Sequence, residues 1–205
     1  MTASPVTRNV GIYIFDEVEV LDFAGPFEVF STASRVKSRL YLNTLKPFEV
    51  FTIADAIRSI PARGGLMVNP NFDISNHPAI DCLIIPGGVV TAELKRDSII
   101  EWIARISSKS TITASVCTGA FLLAKAGLLH GKNATTHWSD IEDLRAMFPD
   151  VTVQANIRWI EAGKVITSAG ISAGIDMSLH LVAQLESEDL AVKTARQMEY
   201  KWSLS

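Results

Sequence analysis

Cysteine is scarce in this chain: there are two, Cys82 and Cys117, in 205 residues. Two cysteines do not build a disulfide framework. Neither has a further ligand at zinc spacing, so a reduced chain with no metal is expected. Long apolar runs are missing too. None approaches the roughly 20 residues that cross a bilayer, and the polar stretch Met1–Asn9 has no signal-peptide core. No membrane role is expected, and the expected location is the cytoplasm. Nor is there an excess of one charge: 19 Lys and Arg against 22 Asp and Glu leave a net −3. That balance gives no electrostatic reason to expect nucleic acid or anionic lipid as a partner. The glycine fingerprints of dinucleotide and P-loop sites are absent, so no nucleotide cofactor is expected.

What is present is apolar side chain, 48% of all residues, enough for one well-buried core. The chain is too short for two ordinary domains, and it has no repeat, linker or low-complexity tract. One domain over residues 1–205 is expected. Short, β-branched buried-strand patterns fall at 9–15, 48–54, 81–86 and 111–116. Helical patterns lie between and after them. One opens in Leu21–Pro26, with Pro26 tolerable in a first turn; others cover Ile99–Ile106, the stretch after Val116, and Ile171 onward. Arg63-Gly64-Gly65 suggests an irregular hairpin, and Glu161-Ala162-Gly163 a second one. Strands alternating with helices predict an α/β fold with a mostly parallel central sheet and helices on both faces.

Cys117 stands where the strand pattern ends and a helical one begins. A side chain at such a turn is pushed out of the sheet, over the following helix N-terminus, where unpaired amides favour a thiolate. A cysteine nucleophile is the reading that follows; Cys82, inside an apolar strand pattern, reads as core. Ligands of open parallel sheets bind beyond the carboxyl ends of the strands. Asp22, Gly87-Gly88 and Cys117 all follow such ends.

Asp22 has two readings, a helix N-cap or a general acid or base whose pKa is raised by burial. Glu28 faces the same cleft or is a solvated helix residue. Gly87-Gly88 allows close backbone approach with N–H groups free for an anion. His137 follows a short strand pattern and either orients the thiol or is a satisfied buried imidazole beside Trp138. The stretch from Gly170 to Asp176, rich in small residues, suits close backbone packing or a pocket wall equally well.

Four segments, LDFAGPFEVF (Leu21 to Phe30), LIIPGG (Leu83 to Gly88), SVCTGAFLLAKAGLLHGKNATTHW (Ser115 to Trp138) and SAGISAGIDMSLHL (Ser168 to Leu181), resemble the ThiJ/PfpI superfamily. The resemblance covers about Val10 to Tyr200, and within the superfamily it is nearest to isocyanide hydratases and the sensor domains of AraC-like regulators. It implies a flavodoxin-like sandwich with a cysteine nucleophile elbow, akin to the class I glutamine amidotransferase domain. By that likeness Cys117 is the nucleophile, Thr118 the hydroxyl residue beside it, and Asp22 the acid that hydrogen-bonds the sulfur. Gly88 and Thr118 supply backbone N–H groups near the sulfur, and His137 is an accessory residue. The implied activity is that of a cofactor-independent lyase, a hydro-lyase of the isonitrile hydratase type acting on a small neutral organic substrate in a largely apolar pocket. The implied assembly is a homodimer. Two alternatives stand beside it: a sensor domain that binds a small molecule without turning it over, and a thiol-based redox or carbonyl-stress protein of glyoxalase-like type. The residues carry no helix-turn-helix pair, so direct DNA binding is not expected.

Overall fold

The structure, a computed structural model, describes residues 6–41 and 44–202. Seven strands form one twisted sheet: β1 (Arg8–Tyr13), β2 (Phe48–Ala54), β3 (Phe72–Asp73), β4 (Cys82–Ile85), β5 (Ile112–Val116), β6 (Trp159–Ala162) and β7 (Val165–Ser168). Their spatial order is β6-β7-β5-β4-β1-β2-β3. All pairings are parallel except β6 with β7, the hairpin signalled by Glu161-Ala162-Gly163. β4 and β5 are buried along their whole length, as expected for inner parallel strands covered on both faces.

Among the described residues six α-helices surround the sheet: α1 (Val20–Leu40), α2 (Asp97–Lys109), α3 (Gly119–Lys125), α4 (Ile141–Met147), α5 (Ala173–Leu185) and α6 (Glu188–Gln197). α1, α5 and α6 pack against one another, while α2 packs on α3. None is long and apolar enough to cross a membrane, among the described residues.

Three local features depart from the sequence patterns. α1 begins at Val20, so Pro26 sits a turn deeper than its pattern suggested, and its missing N–H leaves the Asp22 carbonyl without the usual helical donor. α5 begins at Ala173 rather than Ile171. β3 was not foreseen, since two residues carry no periodicity.

The register aligns the strand ends that matter. Ile12 lies beside Ile84, Ile85 beside Ser115, and Val116 beside Ser168. The turns after β1, β4, β5 and β7 therefore emerge along one edge, and a bridge between Val18 and Gly88 ties two of them together.

Candidate active site

Cys117 is the first residue beyond β5, and its φ is +56°. That left-handed conformation is sparsely populated by non-glycine residues, and holding it costs about 1–3 kcal/mol. A backbone carbonyl and a side-chain hydroxyl hold it. The Cys117 N–H donates to the Ser168 carbonyl at 3.1 Å, and its carbonyl accepts the Thr136 hydroxyl at 2.8 Å. Thr136 was not singled out in the sequence; a buried hydroxyl next to His137 was its only signal. The chain turns directly into α3, with Thr118 at the N-cap position.

Asp22 is completely buried, and it is not a cap: the N-cap position of α1 belongs to Glu19. Its Oδ2 accepts the Gly87 N–H at 3.1 Å, while Oδ1 has no hydrogen-bond partner among the described residues. Asp22 and Cys117 lie close enough to perturb each other. Burial pushes the Asp22 carboxyl up to about 7, against the partial relief of the Gly87 hydrogen bond. Burial first, and the Asp22 charge second, push the Cys117 thiol up to about 12, opposed by the Thr118 backbone N–H.

That corrects the expectation of a resting thiolate. α3 has only seven residues, and its few amides do not offset a site where Cys117 is 8% exposed beside a carboxyl. The pair behaves as one unit, and below the thiol pKa it holds at most one negative charge.

Gly87 and Gly88 serve different ends. A Cβ on Gly87 would lie 2.6 Å from both the Thr118 nitrogen and Oγ1, and 2.8 Å from the Cys117 Cβ, so no other residue fits. Gly88 has φ +136° and abuts the backbone of Glu17, Val18 and Glu19. Its N–H donates to Thr118 Oγ1 at 2.9 Å, and the same hydroxyl donates back to the Gly88 carbonyl at 2.9 Å. The Gly88 amide is thus engaged within the protein, which leaves the Thr118 N–H as the backbone donor beside the sulfur.

A cavity of about 280 Å³ opens over Cys117, lined also by Glu19, Arg63, Gly88, Thr118, His137, Ser139, Asp140 and Ile171. Ile171 is its one aliphatic wall, so the cavity is polar rather than the apolar pocket expected. Arg63 is paired with Glu19 at 3.3 Å. The Nδ1 of His137 lies 2.7 Å from Ser139 Oγ and 3.3 Å from Asp140 Oδ2; the imidazole has no hydrogen bond to the sulfur among the described residues. Glu28 points elsewhere, half-exposed and paired with Arg35. Arg63 and Glu19 have no signal in the sequence because loops distant in the chain deliver them, whereas Ile171 falls in the small-residue stretch for which a pocket wall is one of the two readings. The φ of +28° at Ile171, which the sequence could not disclose, is the structural sign of a constrained wall.

Cys82 is fully buried, as read, with its thiol pushed up to about 12 by burial. Among the described residues no three His, Cys, Asp or Glu side chains gather closely enough to hold a metal ion.

A positive-φ cysteine at the edge of a parallel sheet, beside a buried carboxyl, can be compared with known proteins. The isonitrile hydratase of Pseudomonas putida is 31% identical over 193 residues, 94% of this chain and 78% of that one. The transcriptional regulator GbdR of Pseudomonas aeruginosa is 26% identical over 96% of this chain, which spans only 53% of that protein. The crystal structure of a ThiJ/PfpI family protein from Pseudomonas syringae superposes with a TM-score of 0.83 at 25% identity, covering 99% of this chain and 80% of that one. The model of the DJ-1/PfpI family matches residues 8–184, and the chain belongs to that family.

Proposed function

We propose that the protein is a cofactor-independent isocyanide hydratase, a lyase that converts an isocyanide and water into an N-substituted formamide. The observation that carries this reading is the buried Asp22–Cys117 pair, in which a carboxyl pushed up to about 7 lies close enough to the thiol to perturb it. The 31% identity to an isonitrile hydratase over 94% of the chain supports it.

The chemistry balances on that pair. With one proton between them the resting pair is thiol and carboxylate, and transfer of that proton from sulfur to Asp22 gives the thiolate and the acid that meet the substrate. The Cys117 sulfur attacks the terminal carbon of R–N≡C while Asp22 delivers its proton to the same carbon, giving the thioimidate R–N=CH–S–Cys117. The Asp22 carboxylate then removes a proton from water as the hydroxide adds to that carbon. The second proton of the water moves to nitrogen as the C–S bond breaks, and R–NH–CHO departs. Asp22 ends protonated and sulfur anionic, and return of the proton to sulfur restores the resting thiol and carboxylate. The Thr118 N–H holds the charge on sulfur at both ends of the cycle.

The test is direct. Cyclohexyl isocyanide is incubated with the pure protein and formamide is followed by NMR; turnover should vanish in Cys117→Ala and Asp22→Asn. Wild-type turnover no faster than Cys117→Ala would end the assignment.

A second reading, a small-molecule sensor domain, is favoured by the match to GbdR over 96% of this chain and by the charged cavity walls. Its mark would be saturable ligand binding that survives Cys117→Ala. A third reading, thiol-based redox or carbonyl-stress chemistry, would draw on the same Cys117 thiolate.

A further inference from the structure

The polar cavity over Cys117 adjoins a second, larger space of about 510 Å³. Gly88, Thr118 and Asp140 line both, so the two meet beside the nucleophile. Their walls differ in kind. Where the first presents Glu19, Arg63 and His137, the second presents Val89, Val90, Leu94, Phe121, Ala146 and Met147. Phe121 is nearly buried and meets Phe148 edge-on, with ring centroids 6.4 Å apart, which makes it a firm floor. Val89 and Met147 are 44% and 54% exposed, and such apolar side chains gain when a guest covers them. No cationic side chain lines this chamber, whereas Asp140 and Asp143 do, so an anionic guest is disfavoured.

An isocyanide is linear through R–N≡C. With its terminal carbon at the sulfur, the substituent must project about two atoms away. The charged cavity would desolvate against an apolar group poorly; the adjoining chamber suits one. We infer that this chamber receives the N-substituent, which makes the enzyme selective for isocyanides bearing bulky, uncharged aryl or alkyl groups. Phe121, Ala146 and Met147 set the size limit. This assignment rests on the hydratase reading and extends it to a substrate class.

Ala146 is exposed on α4, so Ala146→Phe fills the chamber without entering the core. The kcat/KM values for 2-naphthyl isocyanide and methyl isocyanide are measured in wild type and variant. The ratio of the naphthyl to the methyl value should fall about tenfold or more in the variant, the scale on which pocket occupancy discriminates apolar groups. An unchanged ratio overturns the assignment. Failure of wild type to turn over either isocyanide removes the hydratase reading by itself. The chamber is then judged by calorimetric binding of N-(2-naphthyl)formamide: about tenfold weaker binding to Ala146→Phe supports an apolar-ligand chamber, and equal binding to both proteins rules it out.

Discussion

The buried Asp22 carboxyl and the Cys117 thiol act on each other in opposite senses: the thiol eases ionisation of the carboxyl, and the carboxylate opposes ionisation of the thiol. Asp22 charge is among the causes that push the thiol up, while burial holds the carboxyl at about 7. This coupling has consequences for stability, reactivity and rate that are separately measurable.

The first concerns stability. Asp22 has its pKa raised in the folded state, from an ordinary carboxyl value near 4 to about 7. Between those pH values the folded protein keeps a proton that the unfolded chain has lost, so stability falls as pH rises through the window, and the penalty is complete above pH 7. Asp22→Asn removes the titration while keeping an acceptor for Gly87. Its Tm should exceed wild type at pH 8, by the equivalent of roughly 2–4 kcal/mol at about 1.4 kcal/mol per pK unit, and the two should converge near pH 4. A parallel pH dependence in both proteins, by calorimetry, would contradict the buried-carboxyl account.

The second is chemical. A thiol pushed up to about 12 is mostly protonated at pH 8, so Cys117 should alkylate with iodoacetamide more slowly than free glutathione. Asp22→Asn deletes the opposing charge and should speed the reaction. Intact-mass time courses decide it; fast labelling of wild type would restore the resting thiolate.

Rate against pH gives the third. The reactive form of the pair carries one negative charge, which develops as pH rises past about 7. The kcat/KM for an isocyanide should therefore rise through pH 7 and level off above it. A profile that falls across pH 6–8 would assign the activity to the doubly protonated pair instead.

The fourth is local. Thr118→Val keeps the side-chain shape but deletes both bonds to Gly88, leaving a part-buried N–H and C=O unpaired. Unfolding in urea should show a loss of about 1–3 kcal/mol, without a change in m-value. A loss under about 0.5 kcal/mol would mean that water replaces the hydroxyl at no cost.

Much of the frame was legible in the sequence. The expected strand at 48–54 coincides with β2, and the Cys117 junction falls at the end of β5, because inner parallel strands are continuous apolar runs that only one structure accommodates. Gly87 and Gly88 were marked for their freedom of approach, yet the sequence did not reveal that the Gly88 N–H is consumed by Thr118. The ionisation of Cys117 was misread for a related reason: helix position is visible in a sequence, but desolvation depends on what else closes over the sulfur. Arg63 and Glu19 come from separate loops, and no periodicity links them to Cys117.

The reciprocal bonds between Thr118 and Gly88 join the turn after β5 to the turn after β4 as one stiff unit. In the proposed hydratase the sulfur would therefore be arranged against its carboxyl when the chain folds, and no share of the binding energy of a substrate would be diverted to assembling the constellation. A catalyst built this way can act on molecules too small to drive any closure around themselves.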